Sequence, residues 1–293
     1  MINLSVVIVN WNVKDLIQKC LESIFYYTQE LNFEVIVVDN NSYDGSVQFL
    51  KKIKKRYQNL KVIFNDSNRG FSVANNQGLK IAKGKYVIFL NPDTELEENS
   101  FKKLYIFMEK NSNVGACTCR LLYGDRTLQP NVKRDPCFFS QLLILLKLHH
   151  FFKFKSLKKY LAKDFDYLSL KEVEQIMGAF IFTRKDLMER LGGWSEDYFI
   201  WWEDVDLCFR IRKSGYKIIY YPFTKIIHWE GKSFSQQQSL QKQKKFNQGM
   251  LIYWKKYHPY WQSIILMLIF PISILLAGAV QLFGIKPKTQ SQI

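Results

Sequence analysis

Between Leu4 and Leu96, short apolar runs alternate with segments of helical spacing. LSVVIVNWN (4–12) is a Val-rich run of strand length, the pattern of a strand buried on both faces. VKDLIQKCLESIFYY, which follows it, has helical spacing, and FEVIVVDNNSYDGS (33–46) reads as a second strand ending in an acid and a turn cluster. SVQFLKKIKKRY reads as a helix and LKVIFND (60–66) as a third strand. NRGFSVANNQGLKIAKG (68–84) is a glycine loop entering a helix, and KYVIFLNPDTEL (85–96) is a fourth strand that ends at Asn-Pro-Asp. Strands alternating with helices predict an α/β fold with a doubly wound, mostly parallel sheet flanked by helices.

Ligands of such sheets bind beyond the carboxyl ends of the strands. Asn10, Asp39, Asn68 and Asp93 follow the four strands in turn, so their side chains are expected in one crevice. Asn and Asp also favour turns, but four such positions in register with four strand ends point to a site. No G-x-G-x-x-G follows the first strand and no P-loop lysine is present, so the dinucleotide and Walker phosphate readings are poor. A charged ligand then needs another anchor. Asp93 at a strand end suits a hard divalent cation, Mg²⁺ or Mn²⁺, that would in turn hold a diphosphate. His228, in KIIHWEG after the strand KIIYYP and a turn, is a candidate second ligand.

WWEDVDLCFRIRKSG (201–215) predicts a helix that opens on three acids and stops at Gly215. Acids in the first turn and Arg210, Arg212 and Lys213 in the last suit the helix dipole. Asp206 and Arg210 are spaced to pair on one face. Asp204 falls in line with Leu207, Cys208 and Ile211, the apolar stripe that should face the protein. An inward carboxylate beside aromatic walls, with no basic partner in its own helix, is a candidate general base.

Charge and composition change this picture at the edges. The 293 residues are 47% hydrophobic and carry a formal net charge of +16, enough for one large α/β domain plus an appendage. The excess charge suits an anionic membrane or nucleic acid. Lys and Arg cluster in LKKIKKRY (50–57), LLKLHHFFKFKSLKKYLAK (146–163) and LQKQKKF (240–246). The second cluster mixes Leu and Phe with Lys in a helical rhythm, as interfacial helices do. IILMLIFPISILLAGAVQLFGI (264–285) holds no charged residue and is long enough to span a bilayer. Tyr260 and Trp261 at one end read as interfacial anchors, and the larger basic cluster on that side places the soluble part at the cytoplasmic face of the cell membrane. Pro271 is expected to kink this helix. The domains expected are a catalytic domain over 1–230, a basic amphipathic linker or helix over 231–260, and a membrane-associated or transmembrane segment over 261–285. Five cysteines without metal-ligand spacing suggest a reducing compartment. No basic region precedes the first apolar run, so no signal peptide is expected.

The motifs SVVIVNWN, VIVVDNNSYDGS, NRGFSVANNQG, YVIFLNPDTEL, GAFIFTRKDLMERLGGWSEDYFIWWEDVDLCFRIRKSGYKI and HWEG come in this order. Together they resemble the family 2 glycosyltransferases of GT-A fold, most of all the rhamnosyltransferase-like branch that builds bacterial surface polysaccharides. The resemblance covers residues 4 to about 230. It implies an inverting transferase that takes a sugar from a nucleoside-diphosphate donor to a lipid-linked or growing glycan. It implies that Asp39 contacts the nucleoside, with Asn10 lining the same pocket, and that Asn68, Arg69, Gly70 and Asn75 form the loop over the nucleotide. Asp93 stands where the family's metal-binding D-x-D has its last acid, with Asn91 in place of the usual first one. Asp204 matches the general base, Glu203 would position the acceptor or tune Asp204, and His228 matches a metal ligand of some members. Trp194, Trp201 and Trp202 are expected to wall the acceptor sugar.

That chemistry agrees with the residues themselves. An acceptor hydroxyl needs a base, a departing diphosphate needs a cation, and a single displacement needs no second nucleophilic carboxylate. A sugar nucleotidyltransferase would want a basic triphosphate loop near the first strand, which VNWNVKD is not. A nucleic-acid binder would explain the charge but neither the ordered acids nor the apolar tail. A non-catalytic nucleotide-sugar binder would keep the fold without the reaction.

Overall fold

The computed structural model describes residues 2–148, 152, 154–229 and 239–282. The chain opens with β1 (Leu4–Asn10), α1 (Lys14–Tyr27), β2 (Phe33–Asp39), α2 (Ser46–Ile53), β3 (Leu60–Phe64), α3 (Phe71–Ile81) and β4 (Tyr86–Leu90). It continues through β5 (Thr94–Leu96), α4 (Ser100–Lys110), β6 (Val114–Leu122) and two short strands, β7 (Leu128–Gln129) and β8 (Val132–Lys133). Helices α5 (Phe138–Leu145) and α6 (Lys155–Tyr160) follow, then β9 (Lys171–Glu172), β10 (Gln175–Ile176), β11 (Phe180–Arg184) and α7 (Lys185–Arg190). The last elements are α8 (Glu203–Lys213), β12 (Lys217–His228), α9 (Ser239–Tyr257) and α10 (Tyr260–Leu282).

The main sheet runs in the order β3-β2-β1-β4-β11-β6-β12-β5. Strands β1 to β4 are parallel, whereas β11 runs antiparallel between β4 and β6. Period-two alternation divides the core. Val6 and Ile8 of β1, Val35 and Val37 of β2 and Ile88 of β4 pack beneath α1, α2 and α4. Val7, Ile36, Val87 and Phe89 point to the other face, against α3, α7 and α8. This two-sided burial is why these strands read as continuous apolar runs.

Three expectations need correction. KYVIFLNPDTEL is two strands, because the Asn-Pro-Asp turn breaks it and β5 leaves β4 to pair with β12. The strand begun by KIIYYP does not end in a turn at Pro222. Proline has no N–H for the ladder, so the register shifts between Tyr221 and Lys225 and the same strand resumes to His228. The basic stretch 146–163 is not one amphipathic helix: α5 ends at Leu145 and α6 starts at Lys155, with residues 149–151 and 153 outside the described set. Residues 231–238 of the expected linker, and 283–285 of the apolar tail, also lie outside it. From Ser239 the chain forms α9 and α10, which pack on each other and on the domain through Trp202, Met250, Tyr253, Trp254 and Leu266.

Candidate active site

The parallel register places Asn10 opposite Asp39 at the strand ends. Asn10 Nδ2 donates to Asp39 Oδ2 at 2.7 Å, and the Ser42 amide donates to Asp39 Oδ1 at 2.9 Å. Both side chains are buried, and among the described residues Asn10 Oδ1 has no hydrogen-bond partner. Asp39 thus holds the turn that follows β2, and through it the crevice floor. Asn40 next to it donates to Gly70 O at 3.1 Å. Asn68 Oδ1 accepts from Gly70 N at 3.0 Å, while exposed Arg69 pairs with Asp66. Gly70 has φ +84, and a Cβ there would stand 2.7 Å from Phe199 O. Only glycine suits that backbone and that contact. Asn75 is buried in α3 and donates back to Phe71 O at 3.0 Å. Asn40, Asn68, Gly70, Asn91, Trp11 and Phe199 line one crevice, so the expected loop residues gather, with Asn75 serving the helix behind them.

Asp93 and His228 meet across the β5–β12 pairing. His228 Nε2 lies 3.3 Å from Asp93 Oδ1, and both side chains are buried. His228 Nδ1 is 2.9 Å from Gln129 Oε1, an acceptor that a protonated Nδ1 would serve. In that tautomer Nε2 would present a lone pair beside Asp93 Oδ1, which has no hydrogen-bond partner among the described residues. A buried imidazole nitrogen and a buried carboxylate oxygen facing each other are ligand types that fit a divalent cation. Among the described residues no group of three His, Cys, Asp or Glu gathers, so substrate oxygens or water would have to complete the coordination.

The second cleft is built around the start of α8. Trp201 and Trp202 both adopt left-handed backbone, with φ 63 and 72. Such a conformation costs a bulky residue about 1–2 kcal/mol. It persists because Phe246, Tyr253 and Trp254 of α9 pack on the Trp202 ring at 5.5–5.7 Å. Gly249 of α9 lets the helix approach, since a Cβ there would stand 2.9 Å from Trp202 Cδ1. The acids divide as their burial dictates. Asp206 is fully buried, pairs with Arg210 Nε at 2.6 Å and accepts from Tyr257 OH at 2.7 Å. Glu203 is buried too, and burial, then the neighbouring Asp204 charge, push its carboxyl well above the usual range. Asp204 is not on the most buried face; it stands at the edge, where α8 meets the cleft. Burial raises its carboxyl, partly offset by the Lys133 charge and by N–H bonds from Gly178 and Val205.

Asp204 shares this cleft with Asn131, Lys133, Tyr160, Gln175 and the two tryptophans. Trp194 is elsewhere: it is core, edge-on to Phe71 at 5.4 Å and to Phe89 at 5.0 Å. Two segments tie the cation pair to the cleft. Gly178 N donates to Asp204 Oδ2 at 3.1 Å, and the next residue, Ala179, accepts from Asn91 N at 3.0 Å. The β7–β8 segment carries Gln129 to His228 at one end and Lys133 to Asp204's cleft at the other. Lys133, Asn131, Gln175 and Gln129 were missed from sequence. Their sole signal was that polar side chains lie in otherwise short, strand-like pieces.

A family model described as "Glycosyl transferase family 2" matches residues 5–188. A poly(ribitol-phosphate) beta-glucosyltransferase of Bacillus spizizenii is 36% identical over 112 residues, 38% of this chain and 18% of that protein. Rhamnosyltransferase WbbL of Escherichia coli is 25% identical over 231 residues, 76% of this chain and 82% of its own. The chain spans a third or less of the first curated relatives it matches, 18% and 33% for two of them. Among solved structures, the mannosyltransferase PcManGT of Pyrobaculum calidifontis, in complex with GDP-Man and Mn²⁺, aligns with TM-score 0.58 and 19% identity over 99% of this chain and 77% of that one. The crevice at the strand ends, the Asp93–His228 pair and the acid-headed α8 therefore sit in a GT-A fold, and the chain belongs to glycosyl transferase family 2.

Proposed function

We propose that the chain transfers a sugar from a nucleoside-diphosphate donor to a hydroxyl of a surface glycan or its lipid-linked precursor, with inversion. The single observation that carries this is the Met177–Ala179 segment. It holds Asp204 through Gly178 and the Asn91–Asp93 turn through Ala179, so a base and an anion-binding end are fixed within one rigid link.

The nucleoside diphosphate enters the crevice of Asn40, Asn68, Gly70 and Asn91, over the floor set by Asn10 and Asp39, with Arg69 at its rim. Asp93 and His228 would hold Mg²⁺ or Mn²⁺, which when bound neutralises charge on the leaving diphosphate. The acceptor lies against Trp201 and Trp202. Its hydroxyl gives a proton to Asp204 as its oxygen bonds to the anomeric carbon. The bond from that carbon to the diphosphate oxygen breaks, and the electron pair leaves with the nucleotide. Burial of Asp204 strengthens it as a base, and burial with the Asp204 charge pushes the Glu203 carboxyl up alongside it. Relatives named for teichoic acid and O-antigen synthesis support an envelope glycan as product and a bacterial cytoplasmic setting. Titration calorimetry with a panel of nucleoside diphosphates tests this. Mn²⁺-dependent binding of one of them, lost in Asp93→Ala, is expected; no binding by folded protein points to a non-catalytic member.

A further inference from the structure

Helix α10 is apolar and long enough to cross a bilayer over Tyr260–Gly278, yet it is laid along α9. At one end Trp254 Nε1 donates to Gln262 Oε1 at 2.9 Å. At the other, a Cβ on Gly278 would meet Leu240 Cδ2 at 3.6 Å. The two helices thus pair antiparallel along their length, and α9 is itself bound into the domain by Trp202 and by the Tyr257–Asp206 bond. The α9 side of α10 buries Ser263, Leu266, Ser273 and Ala277. Trp261, Ile264, Leu268, Ile272 and Leu275 are exposed, Leu268 by 67% and Leu275 by 73%. At 3.6 residues per turn these two sets occupy opposite sides of the helix.

The exposed side does not end with α10. Phe138 of α5 packs edge-on to Trp261 at 5.3 Å, and its neighbour Phe139 is exposed together with Phe152. Lys155, Lys158 and Lys159 of α6 stand exposed beside them. An apolar strip with aromatic residues and a lysine border is the composition of a helix lying in a membrane interface.

We propose that α10 docks flat on an anionic bilayer, with its exposed side in the headgroup–acyl boundary and α5–α6 as a second contact, and does not span. A spanning α10 would have to leave α9, uncovering Ser263 and Ser273 to hydrocarbon and stripping Leu266 from the Trp254 cluster. A second copy is the poorer occupant, because an isologous contact would bring like lysine borders together on a chain of net charge +16. Anionic headgroups neutralise that border. Phe246 of α9 lines the Asp204 cleft, so the helix against which α10 packs also walls that cleft. That an acceptor arrives from the lipid rests on the transferase reading; the docking does not.

Sedimentation of the full chain with phosphatidylcholine vesicles, with and without phosphatidylglycerol, tests the proposal. Binding to the anionic vesicles and release by alkaline carbonate are expected. Leu268→Glu with Leu275→Glu is expected to weaken partitioning at least tenfold, with the near-ultraviolet spectrum and nucleotide affinity unchanged. Lys155→Glu with Lys158→Glu, on the exposed face of α6, is expected to weaken binding severalfold to anionic vesicles alone. Retention after carbonate would mean a spanning helix and would overturn the proposal. So would absence of vesicle binding, or a dimer that the leucine substitutions convert to monomer.

Discussion

The crevice at the strand ends and the cleft at α8 are built in opposite ways. The crevice is assembled mainly from the strand ends and loops of β1 through β4, closed by Phe199 and Ile200 from the turn before α8. The cleft is assembled from β8, α6, β10, α8 and α9, pieces as far apart as Asn131 and Phe246. In the crevice backbone geometry does most of the work: Asx turns, a left-handed glycine and in-register strand ends. In the cleft, side-chain packing from α9 holds a strained turn, and distant charge adjusts the acid. A site whose partners are chain neighbours tolerates little backbone change. One whose partners are distant can be altered a residue at a time.

Four substitutions sharpen or break that contrast. Asp204→Asn is expected to cut the turnover rate by about 10²–10⁴-fold while nucleoside-diphosphate affinity stays within threefold of the parent. Transfer at a tenth of the parent rate or better would remove Asp204 as base and blur the division between the two regions. Gly70→Ala, at φ +84 and against Phe199 O, is expected to weaken nucleotide binding at least tenfold by calorimetry and to lower Tm, since strain of this kind costs about 1–3 kcal/mol. Normal binding would show that the crevice is softer than argued.

Lys133→Gln tests charge tuning across the cleft. Lys133 lowers a carboxyl that burial raises, so its loss should move the acidic limb of the pH–kcat/KM profile to higher pH; an unmoved limb would uncouple the two. The smallest effect is expected for Glu203→Gln. Its carboxyl is raised in the folded chain, so the stability it contributes is present below the ordinary carboxylate pKa and is lost as pH rises through the raised one. The amide should therefore increase Tm at alkaline pH, by about 2–4 °C per kcal/mol relieved, and little or not at all near pH 4. An equal change at both would mean that packing, not charge, sets its cost.

How much could be read from sequence follows the same line. That Asn10 and Asp39 stand side by side was legible because each closes an apolar run of a parallel pair; of the four strand-end residues Asn68 lines the crevice itself, whereas Asp93 turns to His228. The Asp206–Arg210 pair was legible from helical spacing alone. The inward stripe of Leu207, Cys208 and Ile211 was legible and is buried, with Asp204 at its edge; what was not legible is that Tyr257 and Tyr198 cover the Asp206 side and bury that as well. Nothing within α8 announces a partner helix whose Tyr257 lies 51 residues beyond Asp206. Lys133 and Gln175 were hidden for a related reason, being placed by two-residue strands that pair only with each other. Trp194 shows the converse: its place among the tryptophans suggested a cleft wall, whereas Phe71 and Phe89 claim it for the core.

The left-handed Trp201–Trp202 turn also sets the order in which the protein becomes complete during synthesis. That turn is held by Phe246, Gly249, Tyr253 and Trp254, which leave the ribosome after every strand of the sheet. Until they arrive, the packing that offsets the cost of the turn is incomplete and the cleft lacks its α9 wall, although Gly178 already holds Asp204. The growing chain can thus form its sheet and the crevice at the strand ends before α9 arrives to wall the cleft at α8.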